Sequence, residues 1–273
     1  QAKGQMVSKM KQIPYERLIV VELLCILNAR FGLYSSGSYE KHTFWGVSDV
    51  IGKTVSHYTI IEKLGEGGMG VVYKADDRKL KRSVALKFLP AHLASSEEDT
   101  SRFLQEAQAA SALNHPNVCV IHDIQEFVPG AVDQGNVYER PSAGKQTFIV
   151  MEYVEGQTLL KMIRSASGQI PIETVMSIAT QIADALVAAH EKEIVHRDIK
   201  SENIMVSAKG QVKVMDFGLA KIKGSVKLTK THSTVGTLGY MSPEQIQAGA
   251  IDHRSDQFSF GVVLFELLTG KRP

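Results

Sequence analysis

Two cysteines in 273 residues, Cys25 and Cys119, are too few and too far apart for a disulfide framework or a zinc site. Net charge is equally sparse: 31 basic against 29 acidic side chains leave +2, which excludes a global bias toward nucleic acid or an anionic membrane. Long apolar runs are missing from the N-terminal region. Leu18 to Leu27 is interrupted by Glu22 and reaches about half the length of a bilayer span, so no membrane span is expected in this chain. Nothing has the pattern of a secretory signal, and nine histidines stand without metal-ligand spacing. What is present is 44% apolar residues, enough to bury one sizeable core or two smaller ones.

The strongest signal is His196-Arg197-Asp198-Ile199-Lys200-Ser201-Glu202-Asn203, with Met215-Asp216-Phe217-Gly218 beginning twelve residues after Asn203. Two acids and an amide so spaced can serve one nucleotide-metal centre. Asp198 takes a proton from an incoming hydroxyl, while Asn203 and Asp216 hold a magnesium that screens a triphosphate.

Upstream lies Gly65-Glu66-Gly67-Gly68-Met69-Gly70-Val71-Val72. Glycines at this spacing let a turn approach phosphate oxygens without side-chain clash, a device shared by two unrelated nucleotide folds. A dinucleotide site needs a helix directly after the last glycine. Here a β-branched and aromatic run follows, which favours a second strand and a glycine-rich hairpin over ATP. In Ser83–Leu89, alternation puts Val84, Leu86 and Phe88 on one face and Ala85 and Lys87 on the other. A small residue beside a lysine leaves room for a flat ring and brings a cation to phosphates. Ser95-Ser96-Glu97-Glu98-Asp99 then reads as a helix start, after which Phe103, Ala107 and Ala110 share a stripe with Glu106 at its margin.

In this order the motifs resemble the eukaryotic-type (Hanks-type) serine/threonine protein kinases, and Gly-Glu-Gly-Gly-Met-Gly-Val-Val-Tyr-Lys-Ala with Gly-Tyr-Met-Ser-Pro-Glu-Gln looks most like their bacterial members. The resemblance runs from Ile51 to Pro273. It implies an α+β, bilobal fold: a small antiparallel β lobe with one helix and the hinge over residues 51–154, and a mainly α large lobe, incomplete at its C-terminus, over 155–273. Residues 1–50 match no element of that family and are expected to be an extension, either disordered or foreign to the domain. A stretch from about Val128 to Lys145 is longer than a hairpin needs and is expected to be a surface insertion.

The resemblance also assigns roles. Asp198, Lys200 and Asn203 would be catalytic, with Lys200 offsetting charge on the γ-phosphate, and Asn203 and Asp216 would hold the metal. Gly65, Gly67, Gly68 and Gly70 would cover the phosphates, and Lys87 would hold them, paired to Glu106. Met151 would be the gatekeeper, the backbone of Glu152 and Val154 the hinge, and Val72, Ala85 and Met205 further nucleotide contacts. Asp256 would anchor the backbone of the loop around Asp198. Thr237 would brace Asp198 and Lys200. A phosphate on Thr229, Thr231, Ser233 or Thr234 would bind Arg197. The helix Gln257 to Thr269 reads as apolar on nearly every side, which implies complete burial in the family, and in a chain lacking the later helices it is expected to expose a face bearing Phe258, Phe260, Val263, Leu264, Phe265 and Leu267.

The implied function is transfer of the ATP γ-phosphoryl group to protein Ser/Thr hydroxyls, autophosphorylation included, with Mg2+ or Mn2+ as cofactor. No nucleic-acid partner is implied. The implied location is cytoplasmic, as a free enzyme or the cytoplasmic part of a membrane-anchored kinase. Two other readings stay open: a nucleotide-binding pseudokinase scaffold, and a truncated non-catalytic fragment acting as an interaction module. In the second, Glu244 would be buried without the later arginine that normally pairs it.

Overall fold

The computed structural model describes residues 50–67, 70–89, 97–127, 146–166, 170–217 and 238–273. Residues 1–49, the expected insertion, Gly68, the expected helix cap at Ser95 and Ser96, and Thr229, Thr231, Ser233, Thr234 and Thr237 lie outside the described residues.

The first strands are β1 (Thr54–Val55), β2 (Tyr58–Gly67), β3 (Gly70–Asp77) and β4 (Arg82–Phe88), followed by helix α1 (Glu97–Ser111), β5 (Ile121–Phe127) and β6 (Gln146–Glu152). They form an antiparallel sheet in the order β1-β2-β3-β4-β6-β5. The β2–β3 turn closes on the pair Gly67↔Gly70, and the glycine-rich run is therefore a hairpin, as its β-branched sequel requires. Gly70 has φ +114, a conformation that side chains resist.

Alternation on β4 comes out as the sequence implies, but both faces are covered. Phe88 joins Tyr73, Phe127 and Phe148 in an edge-on and stacked aromatic cluster with centroids 5.3–6.0 Å apart. On the other face Ala85 packs with Phe103 and Ala107 of α1 and with Cys119, Ile149 and Met151. The α1 stripe is buried through Ala110, as its spacing demands.

The second part begins with β7 (Gly156–Thr158), α2 (Leu159–Ser165) and α3 (Ile172–His190). A one-turn 3-10 helix (Ser201–Asn203) leads into β8 (Ile204–Ser207) and β9 (Val212–Val214), which with β7 make a sheet in the order β7-β8-β9. Short α4 (Pro243–Ile246) and long α5 (His253–Thr269) follow. One core joins α2, α3, β8, β9 and α5 through Leu159, Ile182, Ile204, Val214 and Val263.

Helix α3 is long and apolar enough to cross a membrane by length and composition. Its stripe of Val175, Ile178, Ile182, Ala185, Leu186 and Ala189 is instead spent on this core. Ile172 and Met176, which share its helical spacing, are exposed, because the stripe is centred one position round from them.

Helix α5 departs from expectation more sharply. It starts at His253, capped by the Asp252 carboxylate, and ends where Gly270 takes φ +72. Its buried side carries Ser255, Asp256, Ser259 and Glu266 beside Val262, Val263 and Leu267, whereas Phe258, Phe265 and Leu268 are exposed. A helix apolar all round carries no directional signal, so hydropathy could not say which face the core takes.

Candidate active site

The loop His196–Asn203 hangs from one carboxylate. Asp256, 1% exposed, accepts the His196 N–H at 2.8 Å, the Arg197 N–H at 2.7 Å and the His190 imidazole at 2.8 Å. Burial alone would raise this acid, but the His190 hydrogen bond and the two backbone donors outweigh it and hold Asp256 below the usual carboxylate range. The anchoring fixes an unusual backbone: Arg197 has φ +68, a region that non-glycine residues enter at a cost of about 1–3 kcal/mol. From below, the Arg197 carbonyl accepts the Gln245 side-chain amide at 2.7 Å.

His196, fully buried, ties this loop to the next. Its Nδ1 accepts the Asp198 N–H at 3.2 Å, which leaves Nε2 to donate to the Met215 carbonyl at 2.8 Å. Its ring packs edge-on against Phe217, centroids 4.6 Å apart. The Met215 N–H donates to the Asn203 carbonyl at 2.8 Å, so the segments around Asp198 and Asp216 are stitched together directly.

Within this frame Asp198 Oδ2 accepts the Lys200 ammonium at 2.7 Å and the Asn203 amide at 2.9 Å. Asn203 also donates to the Asp198 carbonyl at 2.8 Å. One carboxylate oxygen is thus held by two donors. Beneath them, Ser201 and Tyr240 both donate to Glu266 Oε2, and burial together with that bond pushes the Tyr240 phenol well up.

Lys87 and Asp216 complete the centre. Lys87, 3% exposed on β4, places its ammonium 2.8 Å from Asp216 Oδ1. Desolvation would raise Asp216, but the Lys87 cation overcomes it and holds the acid below its ordinary value. This corrects the expected Lys87–Glu106 pair. Glu106 Oε1 lies instead 4.0 Å from Arg197 Nη1. Helical spacing put Glu106 at the margin of the α1 stripe but could not fix the distance from α1 to the sheet, and Asp216 is the carboxylate that Lys87 reaches. The Arg197 Nε is the one buried side-chain polar atom without a partner among the described residues.

The apolar half of the expected set assembles. Ala85 lies opposite Met151 across β4 and β6, both in the cluster against which Val72, Val154 and Met215 pack. Val72 is opposite Lys87, and Gly65, Gly67 and Gly70 stand at the hairpin beyond. Met205 sits apart from that cluster, on β8 between Thr158 and Lys213. Glu244 is another correction: it is only partly buried and accepts the Ser255 hydroxyl, so it is not a buried orphan.

Among the described residues no three His, Cys, Asp or Glu side chains cluster as a metal site. A carboxylate and an amide oxygen next to phosphate oxygens are nonetheless the donor set a hard divalent cation takes. Asn203 commits its amide nitrogen to Asp198, which turns the amide oxygen away from that bond.

Sequence reasoning missed the Glu266 network, the Glu152–Lys213 pair and the Ser242–Gln245 capping box that aims Gln245 at Arg197. Only the last had a local signature, a serine followed three residues later by glutamine.

The chain matches the protein kinase domain family over residues 58–273. It is 42% identical over 225 residues to the serine/threonine-protein kinase PrkC of Bacillus subtilis, covering 82% of this chain and 32% of PrkC. To PknB of Mycobacterium tuberculosis it is 42% identical over 218 residues, 79% of this chain and 33% of PknB. The chain therefore spans about a third of the length of these curated relatives. The solved kinase domain of Mycobacterium tuberculosis PknI aligns with a TM-score of 0.62 at 27% identity, covering 81% of this chain and 78% of that one.

Proposed function

We propose, because this chain belongs to the bacterial serine/threonine branch of the protein kinase family, that it transfers the γ-phosphoryl group of ATP to serine and threonine hydroxyls of proteins. The observation that carries this reading is the Asp198 carboxylate, held on one oxygen by Lys200 and Asn203 in a loop hung from Asp256. Asp198 orients the hydroxyl and takes its proton, and Lys200 faces the charge that develops on the transferred group. Lys87 holds the ATP phosphates. Asn203 and Asp216 hold the divalent cation, Mg2+ with Mn2+ as substitute, which screens phosphate charge when bound.

The base enters between Val72, Ala85 and Met151, against the backbone of Glu152–Val154, with Met205 as a further contact. Most of the chemistry is positioning. The Lys87–Asp216 pair is a resting arrangement, exchanged for phosphate and cation contacts when nucleotide binds. The kinase domain comprises residues 51–273. The substrates are proteins, this chain among them, and the reaction belongs to the ATP-rich cytoplasm.

The test is incubation of the chain with labelled ATP and Mg2+, with phosphosites read by mass spectrometry. Serine or threonine phosphorylation that disappears in Asp198→Asn supports the reading. Nucleotide binding with no transfer to itself or to a generic protein acceptor would overturn it in favour of a scaffold.

A further inference from the structure

Lys213 is 9% exposed, three residues before Asp216 on β9. Its ammonium donates to Glu152 Oε2 at 2.8 Å and to the Val118 carbonyl at 3.3 Å. Glu152 ends β6 and opens the hinge. The same Oε2 accepts the Val120 N–H at 3.3 Å, the Glu152 N–H donates to the Val120 carbonyl at 2.9 Å, and the Cys119 thiol rests 3.7 Å from the Glu152 carbonyl. The segment around Cys119 is in turn bound to β9, since Cys119 N–H donates to Val214 O at 2.9 Å and Val214 N–H to Asn117 O at 2.8 Å. The start of the hinge and the strand leading into Asp216 are therefore joined by backbone bonds through the segment around Cys119 and, side chain to side chain, by one buried lysine.

Such a lysine is a poor device for stability alone. Taking the Lys213 charge out of water, with Glu152 only partly buried, offsets part of their attraction, and an apolar residue of similar volume serves a core as well or better. What an ion pair adds is a fixed separation and register between the groups it joins. Here those groups are the hinge, which meets one end of a nucleotide, and the strand carrying Asp216, which meets the other.

We propose that Glu152 and Lys213 are positioning residues for the nucleotide: their pair sets the distance between the base-binding hinge and Asp216, so that one rigid ligand can engage both. The proposal rests on reading Glu152–Val154 as the hinge. It makes a selective demand. A ligand that spans both ends feels the pair, and one that touches only the hinge does not. Small misplacements across a spanning ligand carry large penalties, so removing the pair is expected to weaken binding of ATP with Mg2+ about tenfold.

The experiment is calorimetric titration of the full chain with Mg2+-ATP and, separately, with adenosine, alongside thermal melts. Glu152→Gln/Lys213→Met removes both charges without stranding one. The expected result is about tenfold weaker Mg2+-ATP binding with adenosine affinity changed less than about threefold, and Lys213→Arg, which retains the charge, close to the unmodified chain. Unchanged Mg2+-ATP affinity in the double variant would overturn the proposal. So would equal losses for both ligands together with a lowered melting temperature, since that is the mark of general loosening. If the double variant does not fold, Glu152→Gln/Lys213→Gln, which also leaves no stranded charge and can keep a neutral hydrogen bond, carries the same test with the same expected selectivity. An unmodified chain that binds neither ligand removes the hinge reading itself, and the proposal with it.

Discussion

Lys87 on β4 and Asp216, two residues beyond β9, share an ion pair of 2.8 Å, so the two charges neutralise one another. Lys87 is almost fully buried, and its cation is what keeps Asp216 ionised against desolvation. Lys87→Met leaves the Asp216 charge without compensation and is expected to cost about 3 kcal/mol at neutral pH.

The pH dependence of that cost follows from the sign of the shift. A depressed folded-state acid contributes stability that is present above its ordinary value, near 3.8, and lost as pH falls through the lower folded value. In Lys87→Met this contribution is gone, so the gap between variant and unmodified chain should be wide at pH 7 and narrow below pH 3.8. Thermal or urea unfolding of both proteins across that range measures it. A gap independent of pH would show that the lost lysine stem, not the charge, matters.

Asp198→Asn keeps the shape of the side chain and removes its basicity. Phosphoryl transfer is expected to fall by about two to four orders of magnitude, the usual contribution of a positioned general base, with nucleotide affinity retained. Single-turnover rates compared with nucleotide titrations check it. An unchanged rate would take Asp198 out of the mechanism.

Asp256→Ala should damage the same loop from behind. It orphans the buried N–H groups of His196 and Arg197, strands His190, and removes what holds Arg197 at φ +68. The expected loss is about 3–5 kcal/mol in urea unfolding, with transfer activity lost in whatever fraction stays folded. A variant as stable and active as the unmodified chain would show that the loop is held elsewhere.

How far the sequence could be read depends on the range of the interaction. Asp198, Lys200 and Asn203 lie within six positions, and their mutual bonds follow from local spacing. Ala85 and Lys87 were legible because β4 alternates, and the aromatic run after Gly70 because it favours a strand. The partner of Lys87 was not, because the choice between Glu106 and Asp216 depends on how close α1 stands to the sheet. Ser201, Tyr240 and Glu266 meet across separations of 26 and 65 residues, and nothing local to any of them announces a shared buried carboxylate. The outer face of α5 shows a related limit: hydropathy finds an apolar helix but not which of its sides a neighbour covers.

Gly156 is a position where a single methyl group is expected to be felt. A Cβ there would collide with the carbonyl of Val206, backbone that cannot swing aside, where β7 runs against β8. Gly156→Ala is expected to cost about 1–3 kcal/mol, the range for overpacking. Gly249→Ala, whose added methyl would meet only ordinary contacts with Glu244, is the control. Equal melting temperatures for the two variants would count against the close approach of β7 and β8.

The exposed side of α5 gives the last expectation. Phe258, Phe265 and Leu268 are 46%, 43% and 50% exposed and recur at i, i+7 and i+10, so they line one stripe. Large apolar side chains aligned in this way promote self-association at working concentrations. Changing all three to glutamine removes the stripe while keeping residues that favour a helix. The expected outcome is a chain with less self-association by light scattering and sedimentation and a melting temperature within a few degrees of the original, because these side chains contribute little to the core. Val263→Gln, one position on the fully buried side of the same helix, should instead unfold the protein. If the triple variant associates as strongly as the unmodified chain, the stripe is not the surface through which it does so.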